Sequence, residues 1–306
     1  MSVQPFSDED LAHRPSINSP FVEHVPPTLE RAANRLSFPP SYVVVGAYRL
    51  ITDKSILVPV WKKSQHGFVR GLGISAAWAA LTFNIQRGLV RLFWMKSPKV
   101  LGLQSETIFG YRPPFDLATL ATLVFVATQA STLIAYFLRR NLQVARTRAW
   151  DQTVKSRHKG IDFFQPYVEE WETPPVVNED EWAALAIARG HILRLTVKKA
   201  VLMAVRYTVP FAGFLISAWF KAMDTSSYLH RPYFEAKKMS KHEIATFIAE
   251  HKWDYRGFGF AAALVESLPI IGLFFSVSNR IGAAMWAFDL EKRQHYVAEE
   301  KRKRLQ

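Results

Sequence analysis

Residues 117–138 form an uninterrupted run of 22 residues without a charged side chain. At about 1.5 Å of rise per residue, this run makes a helix about 33 Å long, enough to cross the hydrocarbon core of a bilayer. Arg139 and Arg140 follow it directly. Because buried helices of soluble proteins seldom run so far without a polar stripe, the run predicts a membrane-spanning helix.

Three further apolar stretches, 71–95, 200–220 and 257–288, share this low charge content. The chain carries 39 Lys and Arg and 26 Asp and Glu, yet the four stretches together hold only five charges. Those five are Arg87, Arg91, Arg206, Glu266 and Arg280. Such segregation is typical of a chain divided between water and lipid. The sequence therefore predicts an all-α, polytopic membrane protein with about four hydrophobic segments.

The last apolar stretch is too long for one ordinary span, and Pro269 and Gly272 interrupt it. Residues 257–267 alone would make only about 16 Å of helix, half of a bilayer core. The pattern predicts a short half-penetrating helix, a turn and a longer helix, which together form a broken or re-entrant helical hairpin. In 200–220, Pro210 removes one backbone hydrogen bond and predicts a second helix break, in the form of a kink.

The charged residues inside the apolar stretches are the candidate functional residues. If the hairpin turns midway between Glu266 and Arg280, the two could neutralise each other as an intramembrane pair. The alternative is that each points separately to an interface. Arg87, Arg91 and Arg206 lie near segment ends, from which long side chains reach the phosphate level. With Arg280 they could instead line a positively charged route for an anion.

The distribution of basic residues predicts the domain organisation. Residues 1–40, rich in Pro, Ser and charge, are expected to be a mobile tail, 41–292 the helical membrane domain and 293–306 a basic C-terminal tail. Eleven Lys and Arg in 139–199, against three in 96–116, place the polar loop 139–199 and the N-terminus in the cytosol. The basic tail is expected to contact anionic lipid head groups.

Two later basic regions give conflicting topologies. Residues 221–256 hold seven Lys and Arg, and residues 291–306 at the C-terminal end hold six. The two regions cannot both be cytosolic if 200–220 and 257–288 each cross once, so one of these stretches is predicted to re-enter. Within 221–256, Ser240 and Glu243 predict a capped helix that lies on the membrane surface or packs on the bundle.

Motifs for catalysis are absent from the sequence. The chain has no cysteine, which excludes disulfides, thiolate nucleophiles and zinc ribbons. His242 and Glu243 begin like a zinc-protease helix, but Thr246 stands where the second histidine is needed. No nucleophile elbow, P-loop or dinucleotide fingerprint occurs. We therefore expect no catalytic, cofactor-binding or metal-binding residues and no enzyme activity. Nucleic acid is not an expected partner either, because no nucleic-acid-binding signature accompanies the basic tail.

Residues 257–292 carry a family pattern. It consists of Glu-x-x-Pro-x-x-Gly-x-x-Phe from Glu266, then Asn279, Gly-Ala-Ala-x-Trp-Ala from Gly282, and Asp289-Leu290-Glu291. The pattern resembles the etoposide-induced membrane protein/CysZ-like superfamily, most of all its fungal branch of outer-spore-wall and lipid-droplet-associated membrane proteins. The resemblance continues at lower specificity over 42–292. It implies an all-helical membrane fold that mixes true spans with half-penetrating hairpins.

The resemblance leaves two functions open. Its fungal members imply residence at the endoplasmic reticulum or lipid droplets, and a hairpin that does not cross can sit in a droplet monolayer. The first hypothesis is therefore a non-enzymatic structural or lipid-organising protein of those membranes. Its bacterial members imply the alternative, a channel or transporter for a small anion such as sulfate. Membrane lipids are the expected partners, no cofactor is expected, and a homo-oligomer is left open.

Overall fold

The computed structural model describes residues 19–94, 117–157, 163–171, 175 and 210–306. All the regular elements in these ranges are helices and none is a strand, so the predicted all-α fold is confirmed. In chain order the helices are α1 (Pro20–Glu23), α2 (Glu30–Leu36), α3 (Ser41–Thr52), α4 (Lys54–Trp94), α5 (Leu117–Lys155), α6 (Pro210–Ala236), α7 (Lys241–Glu250), α8 (Lys252–Glu266) and α9 (Ile271–Leu305).

Within the described residues, α4 and α5 are the two helices long and apolar enough to cross a membrane. Their stretches Ser64–Leu92 and Thr119–Lys155 reach mean hydropathies of 1.2 and 1.6, yet only 11% and 22% of the most apolar part is buried. The core helix of a soluble protein would be mostly buried, so these exposed apolar surfaces suit lipid. The chain is accordingly an all-α membrane protein, and the predicted polar loop 139–199 begins inside α5 as a continuation of that helix.

Helices α4 and α5 lie side by side and run in opposite directions. A Cβ atom at Gly71 would come within 2.9 Å of the Cα of Ile134, so the glycine permits a close approach of the two backbones. Further along, Trp78 Nε1 donates to Gln129 Oε1 at 2.7 Å. Pro59 lies inside α4 without ending it, and the chain turns instead at Asp53, between α3 and α4.

Helices α8 and α9 form a helical hairpin. Helix α8 ends at Glu266 and α9 begins at Ile271, so the turn between them contains Pro269. Ile270 takes a positive φ of 63°, and Gly272 lies so close to the Glu266 carbonyl that a side chain would not fit there. The Ile270 amide donates to Ser131 Oγ of α5 at 2.5 Å, which fixes the hairpin tip beside the middle of the apolar run 117–138.

Helix α9 is the central element of the core. Its residues from Ser276 to Glu291 are buried, and it contacts α3, α5, α6 and α8. Gly46 of α3 and Gly282 of α9 meet with no room for a Cβ atom on either side. Fully buried Trp286 lies among aromatic rings of α6 and α8, with its centroid 4.2 Å from His230 and 4.8 Å from Phe258. This contact between α9 and its neighbours is the largest apolar cluster of the described chain.

Helices occur within both predicted tails, at residues 20–36 and 293–305, whereas residues 1–18 lie outside the described residues. In the N-terminal region 1–40, α1 and α2 pack on α9: Phe21 is buried against Tyr296, and Arg35 Nε lies 3.3 Å from Asp289 Oδ2. Burial of Phe21, Ala32 and Leu36 stabilises the packing of α1 and α2 on the bundle. At the other end α9 continues without a break from the membrane domain through 293–306 to Leu305.

The region 210–250 contains two further predicted features, the helix break at Pro210 and the capped helix that begins after Ser240. Pro210 is the first residue of α6, and the part of 200–220 that precedes it, including Arg206, lies outside the described residues. The capping box is confirmed: Ser240 Oγ accepts from the Glu243 amide, and the Glu243 carboxylate accepts from the Ser240 amide at 2.7 Å. Fully buried Phe247 shows that α7 packs on the bundle.

Candidate functional site

Arg280 is buried at the contact between α9 and α6, with 6% of its surface exposed. Its Nη1 donates to the carbonyl oxygens of Tyr228 at 3.1 Å and Leu229 at 2.8 Å. The local sequence explains this position. Pro232, inside α6, has no amide hydrogen, so the Tyr228 carbonyl four residues earlier lacks its helical donor. The guanidinium supplies that donor, and therefore Arg280 does not reach toward an interface.

A second arginine meets Arg280 at Tyr228. Arg146 of α5 donates from Nε to the Ser276 carbonyl at 3.2 Å, and its Nη1 lies 3.5 Å from Tyr228 Oη. The Arg280 guanidinium lies 4.7 Å from the centre of the Tyr228 ring, whose side chain is about half exposed. We call Arg146, Arg280 and Tyr228 the arginine cluster. Two cations that share one partly exposed tyrosine create a positive potential open to solvent.

Glu266 and Arg280 do not form the predicted ion pair. Asn279 Nδ2 donates to Glu266 Oε1 at 2.9 Å and to the Ala262 carbonyl at 3.2 Å, so the carboxylate is held at the end of α8. Arg280, the next residue of α9 after Asn279, points to the other neighbour, α6. Successive helical residues differ by about 100° in direction, which separates the two partners.

The other residues of the predicted route lie apart from this cluster. Arg87 and Arg91 are in the last turns of α4, near the level at which Gln86 Nε2 donates to Gln129 Oε1 at 3.0 Å. From Gln129 to Arg146 the α5 axis runs 17 residues, or about 25 Å. The structure therefore brings Arg280 to Arg146 and near Glu266 but leaves Arg87 and Arg91 at the opposite end.

Sequence reasoning missed Arg146, because the stretch 139–199 was interpreted as a polar loop. A usable signal was present in the apolar spacing. Leu138, Leu142, Ala145 and Ala149 recur at three- and four-residue intervals and are all buried, which marks one helix face that continues past Arg139. Arg146 follows that buried face by one residue and so reaches α9.

The acidic end of the family pattern has a structural role. Glu291 Oε2 accepts from Lys237 Nζ at 2.7 Å and from Tyr233 Oη at 3.1 Å, and both ion-pair side chains are fully buried. Glu291 Oε1 accepts from the Gln165 amide at 2.8 Å. Burial lowers the pKa of Lys237, and the attraction of Glu291 opposes that shift. Since every member has a partner, this network fixes residues 163–171 across α9.

Within residues 163–171, Tyr167 connects α7 to the same assembly. Its hydroxyl donates to Glu250 Oε2 at 2.8 Å, and its ring lies edge-on to Phe247 at 5.8 Å. Burial raises the pKa of Glu250 to about 7, although the hydrogen bond from Tyr167 opposes the shift. Glu170 binds Arg293 of α9 at 2.6 Å. Helix α7 and the C-terminal half of α9 are thus joined through one segment.

Across the described ranges, no group of three or more His, Asp or Glu side chains could hold a metal ion. The arginine cluster could attract an anion from solvent, because guanidinium groups donate hydrogen bonds to anionic oxygen atoms.

Two kinds of known protein are similar to this chain. The sulfate transporter CysZ of Vibrio cholerae serotype O1 is 29% identical over 122 residues, which are 40% of this chain and 47% of CysZ. The outer spore wall protein RRT8 of Saccharomyces cerevisiae is 34% identical over 85 residues, which are 28% of this chain and 25% of RRT8. The chain thus matches about half of the first relative and a quarter of the second. No family model and no solved structure matches it. The comparisons support a CysZ-like membrane protein.

Proposed function

We propose that this chain is an integral membrane protein that passes a small oxyanion such as sulfate, with the arginine cluster as the place where the anion enters. The observation that carries this proposal is the meeting of Arg146 and Arg280 at half-exposed Tyr228. The similarity to a sulfate transporter supports the choice of anion. Guanidinium groups match tetrahedral oxyanions in charge and hydrogen-bond geometry.

The depth of the cluster supports a role in entry. The hairpin tip lies beside Ser131, eight residues before Arg139, so it reaches about 12 Å below the charged end of the apolar run. Arg280 is ten residues from Ile270, or about 15 Å from the tip, and Arg146 is seven residues past Arg139. Arg280 therefore lies close to the level of Arg139, and half-exposed Tyr228, which both arginines contact, opens the cluster to an anion from solvent.

The packing supports a re-entrant course for the hairpin. Helix α7, which precedes α8, and the C-terminal half of α9 both contact residues 163–171. If α4 and α5 cross the bilayer, α8 and α9 then enter and leave on the same side as the end of α5. The basic regions 139–199, 221–256 and the C-terminal tail would all face the cytosol, as the anionic lipid there favours.

The direct test is uptake of radiolabelled sulfate by sealed liposomes that contain the purified full-length chain. We expect uptake above that of empty vesicles, and about a tenfold decrease in Arg146→Gln, which removes one steering charge without unpairing a buried carbonyl of α6. Arg231→Gln is the matched control, because this exposed arginine of α6 pairs with Glu235 instead. Wild-type uptake no greater than that of empty vesicles would refute the proposal.

A second candidate function is a non-enzymatic lipid-organising role at the endoplasmic reticulum or lipid droplets. The similarity to an outer spore wall protein favours it. So does the hairpin tip, where Leu268, Ile270 and Ile271 remain exposed and apolar. Fluorescent tagging under lipid loading tests this role. Signal on droplets or endoplasmic reticulum is expected, and a signal confined to the plasma membrane would contradict it. Neither function requires a catalytic residue, so we propose that the chain is not an enzyme.

A further inference from the structure

Arg256 of α8 lies between two tryptophans on a face of the bundle that no other described element covers. Its guanidinium carbon is 4.9 Å from the centre of the Trp219 ring and 5.6 Å from that of Trp253. The indoles are 47% and 71% exposed. Within the described chain the guanidinium forms neither a hydrogen bond nor an ion pair, and its buried Nε has no partner. Its terminal Nη groups are therefore the donors that an outside ligand can reach.

The position of Arg256 along α8 matches the surface of a bilayer. Glu266, at the hairpin tip, is ten residues further on, so Arg256 is about 15 Å from the tip along the helix axis. On α5 the distance from the tip contact Ser131 to Arg139 is about 12 Å. Arg256 thus lies within a helical turn of the level at which the apolar run of α5 ends. Tryptophans gather at this level in membrane proteins.

We propose that Arg256, held between Trp219 and Trp253, binds the phosphate of an anionic phospholipid at the bilayer surface. Contact with two indole rings restricts the guanidinium, and a phosphate accepts two parallel N–H bonds from its Nη edge. Exposed Lys252 adds a second positive charge on the same end of α8. A lipid fits this place because exposed Leu215 and Ile216, one turn from Trp219 along α6, extend the apolar surface toward the hairpin tip.

The experiment measures phospholipid retained by the purified full-length protein in native mass spectra, after exchange into equal amounts of phosphatidylserine and phosphatidylcholine. We expect wild type to retain phosphatidylserine selectively and Arg256→Gln to bind it about tenfold more weakly. Trp253→Ala should weaken binding in the same direction, and its high exposure means that it leaves the core intact. Arg256→Lys, which keeps the charge without the planar fork, should be intermediate. Arg231→Gln serves as the control for general surface charge.

Three results would overturn the proposal. One is phosphatidylserine retention by Arg256→Gln equal to that of wild type, and another is retention of the two lipids in equal amounts. The third is displacement of the bound lipid by inorganic phosphate at constant ionic strength, which would make the ligand a free oxyanion. Because the readout is bound lipid, it is independent of sulfate uptake and of the arginine cluster.

Discussion

Arg280 takes the place of an amide hydrogen that α6 lacks. From the sequence alone, its location in an apolar stretch predicted either a partner carboxylate or a route to an interface. Both predictions assume that the positive charge of Arg280 needs either an anionic partner or water. In the structure the requirement comes from the neighbouring helix, because Pro232 leaves the Tyr228 carbonyl without a donor. Pairing a proline on one helix with an arginine on another requires knowledge of which helices touch, and the sequence does not contain it.

This relation predicts energetic coupling between Arg280 and Pro232. Arg280→Ala should destabilise the protein by about 2–4 kcal/mol, because it leaves the part-buried Tyr228 carbonyl without a donor. In the Pro232→Ala background the restored amide bonds to Tyr228, so the same change should cost about 1 kcal/mol less. Thermal unfolding of the four detergent-solubilised proteins measures the cycle. Strictly additive effects would show that Pro232 does not create the need for Arg280.

Titration of Glu250 should make the free energy of unfolding depend on pH, and the sign of that dependence follows from its raised pKa. Its pKa is raised from the ordinary 4.5 to about 7, chiefly by burial, so the folded protein holds a proton that the unfolded chain releases. The stability that Glu250 contributes is therefore greatest below about pH 4.5, falls as the pH rises to about 7, and is lost above that. Allowing for partial solvent access, the change is on the order of 2 kcal/mol. Glu250→Gln stays neutral and should flatten the melting temperature between pH 5 and 7.

The control for this measurement is Glu235→Gln, since the Glu235 carboxylate is 63% exposed and pairs only with Arg231 on the surface. That variant should keep the wild-type slope. A Glu250→Gln protein whose melting temperature varies with pH as much as that of wild type would assign the slope to other groups.

At the scale of elements, the sequence predicted the α8–α9 hairpin more accurately than it predicted the partners of the charged residues Glu266 and Arg280. The break at Pro269 was visible because proline and glycine disfavour a continuous helix in a way that needs no tertiary information. The length of α8, the first helix of the hairpin, was harder to predict. The sequence predicts a half-helix over residues 257–267, whereas α8 begins at Lys252, because buried Tyr255 extends its packed face beyond the apolar stretch. Hydropathy marks where lipid contact ends, and helices continue past that point.

The contact between α3 and α9 yields a prediction about glycine. Gly282 lies against the Tyr42 carbonyl with no space for a methyl group, and the obstructing atom is backbone. Gly282→Ala should push the helices apart and lower the unfolding free energy by about 2 kcal/mol or more. Gly73→Ala, on the open face of α4, meets no atom within 4 Å and should be neutral or stabilising by up to about 1 kcal/mol. Melting temperatures of the two variants compare them, and equal losses would contradict this packing.

At the scale of the whole molecule, the fold resolves a conflict that counting charges leaves open. Lys and Arg counts favoured the cytosol for both 221–256 and the tail, and two single crossings cannot satisfy both. Counting treats each loop as independent. The structure joins them, since Glu170 binds Arg293 of α9 and Tyr167 binds Glu250 of α7. Because buried polar contacts of this kind need both partners on one side, α7, residues 163–171 and the C-terminal half of α9 form one body on one face of the membrane.

The absence of cysteine makes this inference directly measurable. A single cysteine introduced by Lys241→Cys reports on α7, and one introduced by Arg304→Cys reports on the end of α9; both positions are exposed. In sealed vesicles of known orientation, a membrane-impermeant maleimide should label both from the cytosolic side, while Ile270→Cys at the hairpin tip should react from neither side. Labelling of positions 241 and 304 from opposite sides would mean that α8 or α9 crosses the bilayer, and the body formed by α7, residues 163–171 and α9 could not then exist in the membrane.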